Sequence, residues 1–320
     1  MQRKAIAFGP VAVLLLALVC GAATPTERGP YAVGEARFLL SDAVRGREID
    51  LLAIFPIPEG AAPRPTGGFP LIVFVHGFLL RGDAYRSYAD RLASHGFVVA
   101  LPTLRMSLLG VGHNVLAQDV RYVIDRCLAM DGESGSELYG VIDETRIGSS
   151  GHSLGGKLAL LEATTDPRVR AIAALDPVDA ASPGVASTPE SPSVAPELMA
   201  QIGAPLLFVG AELGAEVALF TACAPEGENY RAFFEAARSP AIEVTQQGVG
   251  HGQYVDPGAG LLLAACARGA IPDDDVRASA TAYLTAFFLG HLLGDAWTLA
   301  WLDERLAADV GQGLVIVRRK

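Results

Sequence analysis

Polar and apolar positions mix through Glu35 to Leu40 and through Arg47 to Ile57, with a turn at Val44 to Arg47, a pattern that predicts a two-stranded hairpin. The stretch PRPTGG then breaks the chain. It is followed by PLIVFVHG, a nearly unbroken β-branched run that suits a strand covered on both faces. From there helical and extended segments alternate. Helices are expected around Ala84 to Ser94, around Val115 to Met130, from Leu154, near Tyr230 to Ala237 and around Val276 to Leu293. Between them lie the strand segments FVVALP, TRIGSSG, VRAIAALD, PLLFVGA and AIEVTQQ, and the last 26 or so residues add a short helix and an edge strand. Strands and helices alternating in this way give an α/β fold with right-handed crossovers: a mainly parallel, doubly wound sheet carrying an N-terminal antiparallel hairpin. Residues 180–196, rich in Pro, Ser and Ala, predict a long loop that starts just past a strand end, where such sheets bind ligands.

The first residues do not belong to this series. Arg3 and Lys4 precede an apolar stretch too short to span a bilayer comfortably and then small residues, the layout of an export signal cleaved after Ala23. The expected organisation is therefore a signal peptide at 1–23, a linker at 24–34 and a single domain at 35–320. A rival processing route is lipidation at Cys20, the one way in which this sequence would be held at a membrane. Apolar residues make up 51% and charged residues 19% of the 320, enough for a sizeable core and against disorder. The formal charge of −10 becomes −12 when Arg3 and Lys4 leave with the signal, so nucleic acid is a poor partner. Cys127, Cys223 and Cys266 remain in an oxidising compartment. One disulfide, Cys223 to Cys266, and a buried Cys127 thiol are expected, and no pair has the short spacing of a zinc site.

The candidate chemistry centres on TRIGSSGHSLGGKLALLEA. Ser153 lies between a strand and a helix, with glycines at 151, 155 and 156 where neighbouring side chains must be nearly absent for the two to pack. A serine on such a sharp turn projects its hydroxyl from the top of the sheet, the nucleophile position of the α/β-hydrolase fold. It needs a base and donors for an oxyanion. The N–H groups of Phe78, after VFVHG, and of Leu154 are placed to supply the donors, which leaves His76 a structural residue. The base follows the nucleophile in chain order. His251, in the Gly-rich GVGHGQYVD after a strand, suits the role better than His291 inside the last apolar helix. Three carboxylates compete as the acid: Asp176 at the end of VRAIAALD, Asp179 three residues on, and Glu212 at the end of the next strand. Phe78, Leu79, Leu80, Met106 and Leu108 make the expected approach to Ser153 apolar.

Beyond the pentapeptide, ALDPVDA resembles the DPVDG-like segment of plant chlorophyllases, and LLFVGAELG, ACAPEGENYRAFFEAA and VGHGQYVD follow with further similarities in order. With VHGF and GHSLGGK the resemblance runs from about residue 30 to residue 290. It implies that Asp176, ending the strand after the nucleophile, is the acid in preference to Glu212. The similar secreted platelet-activating-factor acetylhydrolases imply the same. Leu154 stands where plant chlorophyllases carry Arg. The expected function is ester hydrolysis through an acyl-enzyme on a lipophilic ester, with no metal and no organic cofactor. Rival readings are a cutinase-like polyester hydrolase, a phospholipase-type acetylhydrolase and, from another class, a non-catalytic binding protein on a hydrolase scaffold.

Overall fold

The computed structural model describes residues 23–59, 62–106, 111–181, 185, 187–219, 221–238, 240–259 and 261–320, without the side chains of 261 and 262. The expected leader, apart from Ala23, lies outside the described residues, as do Cys20 and Leu108. The N-terminal hairpin forms from β1 (Ala32–Asp42) and β2 (Arg47–Ile57), paired antiparallel. β1 thus begins within the stretch read as linker. Downstream come β3 (Phe69–Val75), α1 (Arg86–Ser94), β4 (Val98–Thr103), α2 (His113–Asp131), β5 (Ile142–His152), α3 (Leu154–Ala163) and β6 (Val169–Leu175). The chain continues with β7 (Leu206–Ala211), α4 (Tyr230–Ala236), β8 (Ala241–Gln246), α5 (Asp273–Leu293), α6 (Ala296–Gly311) and β9 (Val315–Arg319).

These strands make one nine-stranded sheet in the order β1-β2-β4-β3-β5-β6-β7-β8-β9. The neighbours from β4 through β3 to β8 are parallel, while β2 runs antiparallel to β4 and β9 antiparallel to β8. Strand order reverses at β3, which lies between β4 and β5. Open sheets of this kind bind ligands in the crevice outside the carboxyl ends of the strands at this reversal.

The unbroken apolar run of β3 is explained by its two buried faces. Phe69, Leu71, Val73 and Val75 enter a core with Leu116 and Val120 of α2, Leu158 of α3 and Phe233 of α4. Ile72 and Phe74 enter a second core on the opposite face, with Tyr88 and Leu92 of α1, Tyr283 and Phe287 of α5, and Leu302 of α6. The last helix is longer than the short one expected. Asp295 caps it, accepting from the N–H groups of Trp297 and Thr298 at 3.0 and 3.3 Å, and Leu302 and Leu306 bury its inner face.

The described part of the long loop at 180–196 is held by Asp179. Its carboxylate accepts from Ser193 Oγ and from the N–H groups of Val194 and Ala195, at 2.6 to 2.9 Å. Lys157 of α3, wholly buried, pairs with the same carboxylate at 3.2 Å and also donates to the Asp179 carbonyl. Cys223 and Cys266 form a disulfide, and the free Cys127 is buried within α2. No helix among the described residues is long and apolar enough to cross a membrane.

Candidate active site

Ser153 joins β5 directly to α3 with φ 57° and ψ −124°, a conformation that side-chain-bearing residues rarely adopt and that costs about 1–3 kcal/mol. Its surroundings hold it there. The Ser153 N–H donates to the Leu175 carbonyl at 3.0 Å, and the Ser153 carbonyl accepts from Lys157 and Val178, each at 3.2 Å. Strand and helix approach so closely that a Cβ on Gly155 would lie 2.6 Å from the His76 carbonyl oxygen and nearer still to that of Val75. One on Gly151 would lie 2.5 Å from Gly155 backbone atoms. Both positions therefore require glycine.

The serine hydroxyl and His251 Nε2 are 2.9 Å apart, and His251 Nδ1 is 2.7 Å from Asp176 Oδ2. With a carboxylate at Nδ1, the neutral ring carries its proton there and offers Nε2 as acceptor to the serine O–H. Asp176 is fully buried, with φ 39°. Its other oxygen accepts from the Ala211 N–H at 3.2 Å, which keeps Oδ2 for the imidazole. Of the three carboxylates, Asp176 thus faces His251. Glu212 accepts from the Gly248 N–H at 2.7 Å, tying the end of β7 to the Gly-rich loop that leads to the histidine. Asp179 is occupied with Lys157 and the long loop.

Phe78 and Leu154 line a small cavity together with Ser153, His113, Val178, Ala180 and Cys223. Neither backbone N–H donates to an acceptor among the described residues. Phe78 sits in a turn closed by Leu80 N–H to the Gly77 carbonyl at 3.1 Å, and Leu79 in that turn has φ 54°. The apolar approach differs from the one expected. Leu80 packs into the core beneath the turn with Tyr85 and Leu101, because the tight turn points it back over the sheet, and is a core residue rather than a cavity wall. Met106 is partly buried against the opposite core, and Leu79 is half-buried. Neither lines the cavity. Among the described residues Phe78 alone of those expected lines it, and the rest of its apolar wall comes from Leu154 and from Val178, Ala180, Ala222 and Pro225, the last four on segments read as loops, where no periodicity marks a residue as inward-facing.

The remaining histidines are accounted for. His76, fully buried, donates from Nδ1 to the Gly77 carbonyl at 2.8 Å and accepts the Leu104 N–H at Nε2 at 2.9 Å. Burial pushes its pKa down to about 4, so it braces the ends of β3 and β4 as a neutral ring. His95 donates to the Glu27 carbonyl, and His291 packs on Phe287 within α5. His113, without an assigned role in the sequence, enters the cavity wall at the start of α2, and burial pushes its pKa down to about 4. Sequence reasoning missed two further groups near the site: Tyr85 gave no signal, and His152 was marked only by its place within the pentapeptide. Their hydroxyl and ring nitrogen meet at 2.7 Å. Among the described residues no group of three or more His, Cys, Asp or Glu side chains is arranged to hold a metal ion.

This arrangement can move a proton from a serine hydroxyl to an imidazole beside a buried carboxylate, next to an apolar cavity. The chain is 28% identical over 204 residues to chlorophyllase-2 of Arabidopsis thaliana, covering 61% of this chain and 64% of that one. It therefore spans a little under two thirds of that relative's length. It is 27% identical over 244 residues to the chloroplastic chlorophyllase-1 of Citrus sinensis, covering 73% and 72% of the two chains. A bis(hydroxyethyl) terephthalate hydrolase of Streptomyces coelicolor is 31% identical over 191 residues, 55% of this chain and 58% of that one. The model of the chlorophyllase family matches residues 58–305, a span that takes in β3, the Ser153 elbow, Asp176 and His251. With most of its length so matched, the chain belongs to the chlorophyllase family.

Proposed function

We propose that the protein is a serine carboxylic-ester hydrolase that acts through an acyl-enzyme on a lipophilic ester. The observation that carries this is the continuous line from Ser153 Oγ through His251 to Asp176, at 2.9 and 2.7 Å, beside a largely apolar cavity. In the first half-reaction His251 Nε2 takes the Ser153 proton as Oγ attacks the ester carbonyl. The Phe78 and Leu154 N–H groups receive the oxyanion, the latter at the N-terminus of α3 where the helix dipole favours negative charge. Asp176 keeps the ring in the tautomer that accepts at Nε2 and stabilises the imidazolium. His251 then returns the proton to the departing alcohol. Water, deprotonated by the same ring, attacks the acyl-enzyme and releases the acid, so no step calls for a metal or organic cofactor.

Chlorophyll-like and aromatic esters are the two substrate classes to compare, the second favoured by the terephthalate hydrolase relative. Export is part of the proposal, and the Cys223–Cys266 disulfide supports it because such bonds persist in oxidising compartments. The test combines fluorophosphonate labelling with turnover of p-nitrophenyl esters of increasing chain length, chlorophyll and an aromatic diester. Wild type should label and hydrolyse the longer esters, and Ser153→Ala should do neither. Ester turnover by Ser153→Ala near the wild-type rate would falsify the nucleophile, preference for short polar esters would remove the lipophilic substrate, and a wild type that neither labels nor turns over is a binding scaffold.

A further inference from the structure

Two fully buried polar side chains beside the site take no part in the reaction just described: Tyr85, in the 3-10 turn before α1, and His152, the residue before the nucleophile. Three hydrogen bonds run through them. The Gly77 N–H donates to Tyr85 Oη at 3.2 Å, Tyr85 Oη and His152 Nδ1 are 2.7 Å apart, and His152 Nε2 is 3.0 Å from the His251 carbonyl oxygen. The direction of every bond is fixed by chemistry. A carbonyl only accepts, so His152 carries its proton on Nε2. Its Nδ1 is then an acceptor, and the tyrosine O–H donates to it. The tyrosine oxygen is thereby free to accept from Gly77.

The ends of this chain give it its meaning. Gly77 immediately precedes Phe78, and the far end is the backbone of His251. Between them the His152 ring lies against the His251 ring, centroids 4.5 Å apart. A buried pair of this kind is not the economical way to gain stability, since apolar side chains of similar shape fill such space at little or no loss. What hydrogen bonds add is a fixed geometry among the groups they join.

We propose that Tyr85 and His152 are positioning residues that hold the Phe78 turn and the His251 backbone in register across Ser153. The oxyanion donor and the base are thereby set against the same reacting carbonyl by one rigid link. This rests on the catalytic reading of Ser153, His251 and Asp176. Burial keeps the His152 pKa well below the usual imidazole range, with the neighbouring His251 acting in the same direction. The relay ring therefore stays neutral while the base beside it gains and loses its proton.

The test uses the full chain with Tyr85→Phe, His152→Gln and the pair together, read by kinetics on p-nitrophenyl butyrate and by imidazole nitrogen NMR. Tyr85→Phe removes one hydroxyl; kcat should fall about tenfold to a hundredfold with KM within about twofold. The double variant should be little worse than the poorer single one, because both cut the same link. In wild type His152 should be the Nε2–H tautomer with a hydrogen-bonded Nδ1, and Tyr85→Phe should shift the His251 Nδ1–H resonance. Losses that add, a kcat for Tyr85→Phe within about twofold of wild type, or an unmoved His251 resonance would overturn the proposal. So would a wild-type His152 protonated on Nδ1, a measurement that needs no variant to fold. A wild type that neither turns over the ester nor reacts with fluorophosphonate overturns the catalytic reading instead, and the tautomer and resonance still decide the link.

Discussion

Glu162 sits near the C-terminal end of α3, 2% exposed, with both carboxyl oxygens buried and no hydrogen-bond partner among the described residues. Burial, and next the neighbouring Asp166 carboxylate, push its pKa from 4.5 up to about 9, although Arg121 and Arg168 pull the other way. The unfolded chain releases this proton near pH 4.5, whereas the folded chain keeps it to about 9. The group's contribution to stability is therefore fully present below pH 4.5 and is lost as pH rises toward 9. At about 1.4 kcal/mol for each pH unit, the loss between pH 5 and pH 8 comes to about 4 kcal/mol. Glu162→Gln has nearly the same shape, keeps a hydrogen-bond donor where the protonated acid has its O–H, and does not titrate. The stability difference between variant and wild type should thus move in favour of the variant by about 4 kcal/mol from pH 5 to pH 8, measured by urea unfolding at each pH. Comparing the difference at two pH values cancels every other titrating group. Activity should be unchanged, since about 14 Å of helix separates residue 162 from Ser153. A difference constant to within about 1 kcal/mol would refute the neutral carboxyl.

Asp176→Asn should lower kcat by about ten-thousandfold through the wrong imidazole tautomer, whereas Glu212→Gln, which only weakens a tie to Gly248, should lower the melting temperature and leave most of kcat; ester kinetics on both variants check the ranking. Lys157→Met leaves the 5%-exposed Asp179 without its cation and should cost about 3–5 kcal/mol in urea unfolding. Gly155→Ala forces a Cβ into the Val75 and His76 carbonyls and should cost about 4 kcal/mol or more, read as loss of soluble protein or of a cooperative melt. Burial holds His76 and His113 neutral down to about pH 4, while the unfolded imidazoles charge below 6.5. The stability of wild type relative to His76→Gln, and likewise to His113→Gln, should accordingly fall as pH drops from 6.5 to 4, and a difference in urea unfolding that stays flat across that window would refute the assignment.

The sequence pattern disclosed what is periodic or punctuated. PLIVFVHG reads as a two-sided strand because it is one, and the glycines around Ser153 mark an elbow because the Val75 and His76 carbonyls leave no room for a Cβ. The strand-end position and family resemblance of Asp176 pointed to the carboxylate that the structure sets against His251. What stayed hidden depends on contacts between distant segments. The wall made by Val178, Ala180, Ala222 and Pro225 is assembled from two loops with no repeat of their own. Lys157, four residues past Ser153, reads as an ordinary helix cation, and only the fold buries it against Asp179. Leu80 misled for a local reason: the apolar character of a residue in the Gly77–Leu80 turn does not say which side of the turn it faces.

The disulfide makes a covalent ring of the segment between Cys223 and Cys266, 43 positions apart in the chain, and α4, β8 and His251 all lie within it. Pro257 and Gly258 form an exposed bend on the same ring. A protease that cuts there opens the ring without parting the molecule. The fragment ending in the His251 segment remains bonded, through Cys223 and Cys266, to the piece that follows the cut. Nicked protein would run as one species until a reductant splits it in two, and His251 would stay leashed to the cavity wall in the meantime.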